Sequence, residues 1–86
     1  MADKIGTETI AIKQEELHSQ NIKVVLNQVA DALTERGYNA VNQITGYLIT
    51  SDPAYISGYK NARSIIQTIE RHEIIEELVS SYLEKK

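Results

Sequence analysis

The sequence predicts an all-α fold: a compact bundle of about four to five short helices with a flexible N-terminal tail, paired as a homodimer. Three observations predict it. Apolar residues recur at helical spacing from residue 22 onward, as in Ile22, Val25, Leu26, Val29 and Leu33. The punctuation between these stripes is helix punctuation, with Arg36-Gly37 and Asn39 at one junction and Ser51-Asp52-Pro53 at the next. The third observation concerns size. A chain of 86 residues with five Tyr and no Phe or Trp must build an aliphatic core, and its stripes offer more apolar surface than so small a monomer readily covers. A C2 pair is the commonest closed solution.

The chain divides into residues 1–20, read as the tail, and 21–86, read as a single helical domain. The tail holds Asp3, Glu8, Glu15 and Glu16 against Lys4 and Lys13. Its Ile10 and Ile12 alternate with Thr9 and Ala11, a strand-like pattern too short to stand alone. A mobile or loosely docked segment follows from that reading. Helix 1 is predicted over 22–36, opened by Ser19 or Asn21 and closed by the Gly37 turn. Asn39 caps helix 2 over 40–50, where Val41, Ile44 and Leu48 form the stripe with Tyr47 alongside. Gly46 lowers its helix propensity by about 1 kcal/mol, and points to close packing.

Pro53 excludes helix at Asp52, so helix 2 ends there. The same pair starts a short helical turn over 53–57, broken at Gly58. Ala62, Ile65, Ile66 and Ile69 give the next stripe. Ile74, Ile75, Leu78, Val79, Tyr82 and Leu83 give the last. No Gly or Pro separates these two stripes, so they form either one long helix or two helices bent near Arg71-His72. Glu73, Glu76 and Glu77 early in the last stripe, and Lys85 and Lys86 late in it, complement the helix dipole.

Composition narrows the function. The absence of Cys removes disulfides, thiolate metal sites and a thiol nucleophile. It fits a reducing compartment. No apolar run approaches the length of a membrane span, and MADKIGTETIAIKQ lacks the apolar core of a signal peptide. A cytoplasmic location and no membrane insertion are therefore expected. Neither His18 nor His72 has metal-site spacing, and each reads as a surface residue. Glu73, Glu76 and Glu77 read as a solvated face rather than paired catalytic carboxylates. Ser80-Ser81 lacks a neighbouring base and a glycine elbow. The four glycines are scattered and cradle no phosphate. No enzyme activity, cofactor or metal is expected.

Helix 1, the Gly37-Tyr38-Asn39 turn and helix 2 have the outline of a helix-turn-helix, which makes a DNA-binding regulator the alternative reading. A net charge of −3, and a second helix that carries Asn42 and Gln43 but no Lys or Arg, weigh against nucleic acid. One basic cluster exists: Lys60, Arg63 and Arg71, with Glu70 the sole acid between 58 and 71. Arg63 and Arg71 share a face if their helix is continuous. Beside ordinary surface charge, the functional reading is docking of an anion or a protein partner. Thr7 and Thr9 flank Glu8 in a polar tail that is expected to be accessible.

The segments Gly37-Tyr38-Asn39-Ala40-Val41-Asn42-Gln43-Ile44, Gly46-Tyr47-Leu48 and Asp52-Pro53-Ala54-Tyr55-Ile56 stand in this order. Glu70-Arg71-His72-Glu73-Ile74-Ile75-Glu76-Glu77-Leu78-Val79 follows them. Together they resemble the IreB/ReoM family of small regulatory phosphoproteins of Gram-positive bacteria, over roughly residues 22–84. The resemblance implies an all-helical homodimer without enzymatic activity. It implies phosphorylation by a membrane serine/threonine kinase bearing PASTA repeats, reversed by a phosphatase. The family motif sets an acidic or polar residue, Thr, an aliphatic residue and a later hydrophobic residue. Glu8-Thr9-Ile10-Ala11-Ile12 fits it best, which makes Thr9 the acceptor and Thr7 the second choice. The resemblance further implies a role in peptidoglycan homeostasis and sensitivity to cell-wall antibiotics. In that role the unphosphorylated form promotes Clp-protease turnover of the enolpyruvyl transferase. Family members usually have Pro where Ala40 stands, Gly at Ser51, Pro and Arg at Ser57 and Gly58, and a basic residue at Gln67. The basic surface is thereby thinned to Lys60, Arg63 and Arg71.

Overall fold

The computed structural model describes the backbone of residues 2–85 and the side chains of residues 17–84. Among the described residues there are four α-helices and no strand. They are α1 (Ala2–Glu35), α2 (Ala40–Thr50), α3 (Ala62–Ile66) and α4 (Arg71–Lys85), with 3-10 turns at Pro53–Tyr55 and Tyr59–Asn61.

Helix α1 starts far before the expected residue 22, and its backbone crosses the 20/21 boundary without a break. The strand-like alternation at Ile10 and Ile12 is overruled by its surroundings. Neither Gly nor Pro occurs between Gly6 and Gly37, and Ala11, Lys13, Gln14, Glu15, Glu16 and Leu17 are all good helix formers. At roughly 1.5 Å per residue this helix alone accounts for most of the 53 Å long axis. Its end is as expected. Gly37 adopts φ +89, its amide donates to the Thr34 carbonyl at 2.9 Å, and the Tyr38 amide donates to that of Leu33 at 2.9 Å. That pair of bonds is a Schellman motif, which needs a left-handed residue where glycine stands.

Asn39 caps α2, accepting from the Asn42 amide at 3.0 Å. The helix ends at Ser51 in a left-handed conformation, φ 66, with the Ser51 amide donating to the Tyr47 carbonyl at 2.8 Å. A Cβ is strained in that conformation. Ser51→Gly is therefore expected to raise stability by about 0.5–1 kcal/mol, net of the entropy that glycine adds to the unfolded chain. Thermal melting of the two proteins side by side checks this, and an unchanged or lower midpoint counts against it.

Asp52 then caps the first 3-10 turn, accepting from the Ala54 amide at 3.0 Å with Pro53 at the first position. This turn carries Tyr55 over α2. A Cβ on Gly46 would stand 2.5 Å from Tyr55 Cδ1, so the glycine marks close packing, as its place in the sequence suggested.

The α3–α4 boundary settles the open alternative in favour of two helices. Gln67 Nε2 donates to the Arg63 carbonyl at 2.9 Å, and Thr68 Oγ1 donates to that of Ile65 at 2.7 Å. These side chains take up carbonyls that a continuing helix would use. The Glu70 carbonyl then accepts from the amides of Glu73 and Ile74, which starts α4.

The core is aliphatic, as predicted. Ile22, Val25, Val29, Ala32 and Leu33 of α1 meet Tyr47, Ile56, Ala62, Ile66, Ile69 and Ile74. Two predicted stripes are turned differently. Tyr47 is the buried residue of α2, while Val41 is 73% exposed. Among the described side chains of α4, only Ile74 is buried. Ile75, Leu78, Val79, Tyr82 and Leu83 face outward.

Candidate functional site

The basic cluster is placed by three different elements. Lys60 sits in the second 3-10 turn with φ 51, a left-handed conformation held by its surroundings. Its ammonium lies 2.7 Å from Glu35 Oε1 at the end of α1. Arg36 and Lys60 both approach the Tyr59 ring, at 5.2 and 5.7 Å from its centroid. The Glu35 hydrogen bond, then the Glu35 charge, raises the Lys60 ammonium above its ordinary value. The linked stability is present below that value and is lost only as pH rises through the higher folded one.

Arg63 and Arg71 are less free than their charge suggested. Arg63 Nε donates to the Ile56 carbonyl at 2.8 Å, and an Arg71 Nη donates to the Leu48 carbonyl at 2.7 Å. Arg63 ties α3 to the segment that follows the first 3-10 turn, and Arg71 ties α4 to α2. The break between α3 and α4 removes the continuous helix on which the two were expected to share a face. Arg63 remains exposed and Arg71 half-buried. Replacing either with Ala deletes a hydrogen bond as well as a charge, so a partner-binding test needs Lys variants beside the Ala variants.

Glu73 and Glu77 do not lie on a solvated face. His18 Nε2 is 2.8 Å from Glu73 Oε2, and Ser19 Oγ donates to Glu77 Oε1 at 2.8 Å. Lys23 Nζ is 3.7 Å from the other Glu77 oxygen, which also accepts from Ser81 at 3.1 Å. These bonds make a polar seam between α1 and α4, beside a cleft of about 220 Å³ lined also by Ile22, Glu76 and Ser80. The sequence carried a signal for it. Ser19 and Lys23, and Glu73 and Glu77, are paired at one-turn spacing with complementary charge. Glu76 and His72 are exposed, as expected.

The His18 hydrogen bond, against a smaller effect of burial, holds the Glu73 carboxyl below its ordinary 4.5. Since the folded value is the lower one, the stability it contributes is present above pH 4.5 and is lost as pH falls through the folded value. His18→Ala is expected to move the Glu73 carboxyl titration upward towards its ordinary value. A side-chain carbon NMR titration of Glu73 reads this, and an unmoved midpoint would remove His18 as the cause.

An apolar face lies beside the seam. Ala30 of α1, Ala40, Val41, Ile44, Thr45 and Leu48 of α2, and Leu78 of α4 line an open groove of about 270 Å³. Further along α2, Ile49 is 76% exposed. That helix, which a helix-turn-helix would lay in a DNA groove, presents Val41, Thr45 and Ile49 outward and offers no cation to phosphate. Apolar side chains of this kind suit a protein surface. Among the described residues, no group of His, Asp and Glu is arranged to hold a metal, and no helix is long and apolar enough to cross a membrane.

The side chains of Thr7 and Thr9 lie outside the described residues; the backbone at both is helical, within α1. A family model, that of the IreB regulatory phosphoprotein, matches residues 7–84. The chain belongs to the IreB family. The match takes in both threonines, the polar seam, the basic residues and the outward apolar face. A regulatory role follows for the chain from this membership.

Proposed function

We propose that this IreB-family chain is a non-enzymatic regulatory phosphoprotein of peptidoglycan homeostasis and cell-wall antibiotic sensitivity. It works in the cytoplasm as a homodimer, with residues 1–20 as the regulatory arm and 21–86 as the helical domain. A PASTA-repeat serine/threonine kinase phosphorylates Thr9, with Thr7 a minor acceptor, and a phosphatase reverses it. The unphosphorylated form acts through Clp-protease turnover of the enolpyruvyl transferase. The observation that carries the reading is the family match over residues 7–84, with Glu8-Thr9-Ile10-Ala11-Ile12 inside it.

The pairing surface in this reading is the groove lined by Val41, Ile44, Leu48 and Leu78 with the outward side of α4. Lys60, Arg63 and Arg71 contribute to the partner surface. A phosphate at Thr9 adds about −1.5 to −2 of charge to an arm that is already acidic. Two routes lead from that charge to a switch. The phosphate docks on Arg63 or Arg71 through charge-assisted hydrogen bonds, or it repels an acidic partner. Both arginines already hold backbone carbonyls, which favours repulsion.

Immobilised protein in unphosphorylated and phosphorylated forms, exposed to purified enolpyruvyl transferase and Clp components, tests the reading. Retention by the unphosphorylated form alone is expected. Equal retention by both, or by neither, contradicts it. A duplex-DNA titration in parallel would give steep salt-dependent binding for the alternative reading, and none is expected.

A further inference from the structure

The lysines and arginines with described side chains are Lys23, Arg36, Lys60, Arg63 and Arg71. All but Arg36 reach an oxygen. Lys23 pairs with Glu77, Lys60 with Glu35, Arg63 with the Ile56 carbonyl and Arg71 with the Leu48 carbonyl. The Arg36 guanidinium instead lies over the Tyr59 ring, 5.2 Å from its centroid, with no hydrogen bond or ion pair of its own. Its place just past the end of α1 suits a cation, because the carbonyls of the last turn carry negative partial charge. That attraction uses none of the fork's N–H donors.

Glu35, the neighbouring acid, is already engaged. Lys60 holds it at 2.7 Å, from a left-handed backbone (φ 51) that side chains rarely adopt. Asn61 beside it is left-handed too, with φ 63. This strained turn brings a second cation to 5.7 Å from the same ring centroid. The two positive charges of Arg36 and Lys60 thus stand against the one negative charge of Glu35. Asp31 lines the cleft on the Glu35 and Lys60 side. At about 100° per residue it stands roughly 140° round the helix axis from Arg36, and no ion pair joins the two.

A guanidinium presents its donors in pairs that match the two oxygens of a carboxylate. Stacking on a ring fixes that plane before a partner arrives, which lowers the ordering cost of binding. One uncompensated positive charge fits one carboxylate. A phosphate dianion would bring a second negative charge against Glu35. Nucleic acid or an anionic lipid surface would meet a chain whose net charge is −3.

We propose that Arg36, held on Tyr59 and flanked by Lys60, is the docking point for a carboxylate side chain in an acidic segment of a partner protein. The proposal rests on the proposed function, in which this basic side of the chain contributes to the partner surface, and it adds the residue whose fork is free.

The test uses the full chain as wild type, Arg36→Gln and Arg36→Lys. Glutamine removes the charge at similar helix propensity, and lysine keeps the charge without the fork. The first probe is a blocked peptide of alternating Glu and Gly, compared with its Gln counterpart and with inorganic phosphate. The side-chain Nε–H resonance of Arg36 in wild type reads binding by NMR. A saturable shift with the Glu peptide is expected, with the Gln peptide and phosphate at least about tenfold weaker. No shift, an equal response to the Gln peptide, or tighter binding of phosphate overturns the carboxylate assignment. The second readout is retention of the unphosphorylated chain by purified enolpyruvyl transferase and Clp components. Arg36→Gln is expected to weaken it by about 3- to 10-fold, the factor of a charge-assisted pair screened at a surface, with Arg36→Lys in between. Unchanged retention overturns the docking point. Should Arg36→Gln fail to fold, the Lys variant carries the comparison. If Arg36→Gln sediments as a monomer where wild type is a dimer, the carboxylate belongs to a second copy of the chain, and its assignment to another protein falls. If wild type is retained by no component, the proposed function fails, and the peptide titration still decides whether Arg36 takes a carboxylate.

Discussion

A Leu78→Asp chain is expected to sediment as a monomer at tens of micromolar, where the wild-type chain sediments as a dimer. Leu78 is 43% exposed and lines the groove with Val41, Ile44 and Leu48, so the monomer tolerates a carboxylate there. The proposed pair does not. A C2 interface carries each substitution twice. Each Asp forfeits on the order of 1 kcal/mol of apolar burial and faces a further penalty of several kcal/mol if its charge is desolvated. Together these weaken association by at least about a thousandfold. The melting midpoint of wild type should also rise with protein concentration, while that of the variant should not. A monomeric wild type, or a dimeric Leu78→Asp, removes this face as the pairing surface.

Leu33→Ala is expected to destabilise the chain by about 3–5 kcal/mol, the range for a large-to-small change where neighbours cannot collapse. Leu33 is fully buried in the core that α1 forms with α3 and the segment around Ile56, and its backbone carbonyl also closes the α1 C-cap. A domain of this size has roughly 4–13 kcal/mol in total. The variant should therefore lose most of its denaturant midpoint, while Val24→Ala, at an exposed position of α1 outside that groove, should stay within about 0.5 kcal/mol. Equal effects of the two substitutions would contradict the packing described.

The helix ends that were legible in the sequence are those with local chemistry. Gly37, Asn39 and Asp52-Pro53 set backbone angles and caps through neighbouring atoms, so spacing and residue type suffice. The α3–α4 break is not legible in the sequence, because Gln67 and Thr68 end α3 by side-chain bonds to its own carbonyls, which residue type alone does not specify. The start of α1 is hard to read because four alternating residues mimic a strand within a long run without Gly or Pro. Charge identified Lys60, Arg63 and Arg71. Their partners, the carbonyls of Ile56 and Leu48 and the carboxylate of Glu35, depend on how distant segments meet. The same holds for α4. Its acids at one-turn spacing have two possible neighbours, solvent or α1, and only the packed chain decides. Its apolar stripe, expected to offer more surface than a monomer covers, faces outward apart from Ile74.

In the proposed function, Thr9 is the residue through which the chain is controlled. The most direct measurement is incubation of the full chain with the catalytic domain of the kinase and ATP, followed by mass-spectrometric mapping of wild type, Thr9→Ala and Thr7→Ala. The account predicts phosphate on Thr9 in wild type, near-complete loss of incorporation in Thr9→Ala, and little loss in Thr7→Ala. Incorporation into Thr9→Ala at the wild-type level, with the phosphate on Thr7 or outside the arm, would contradict it.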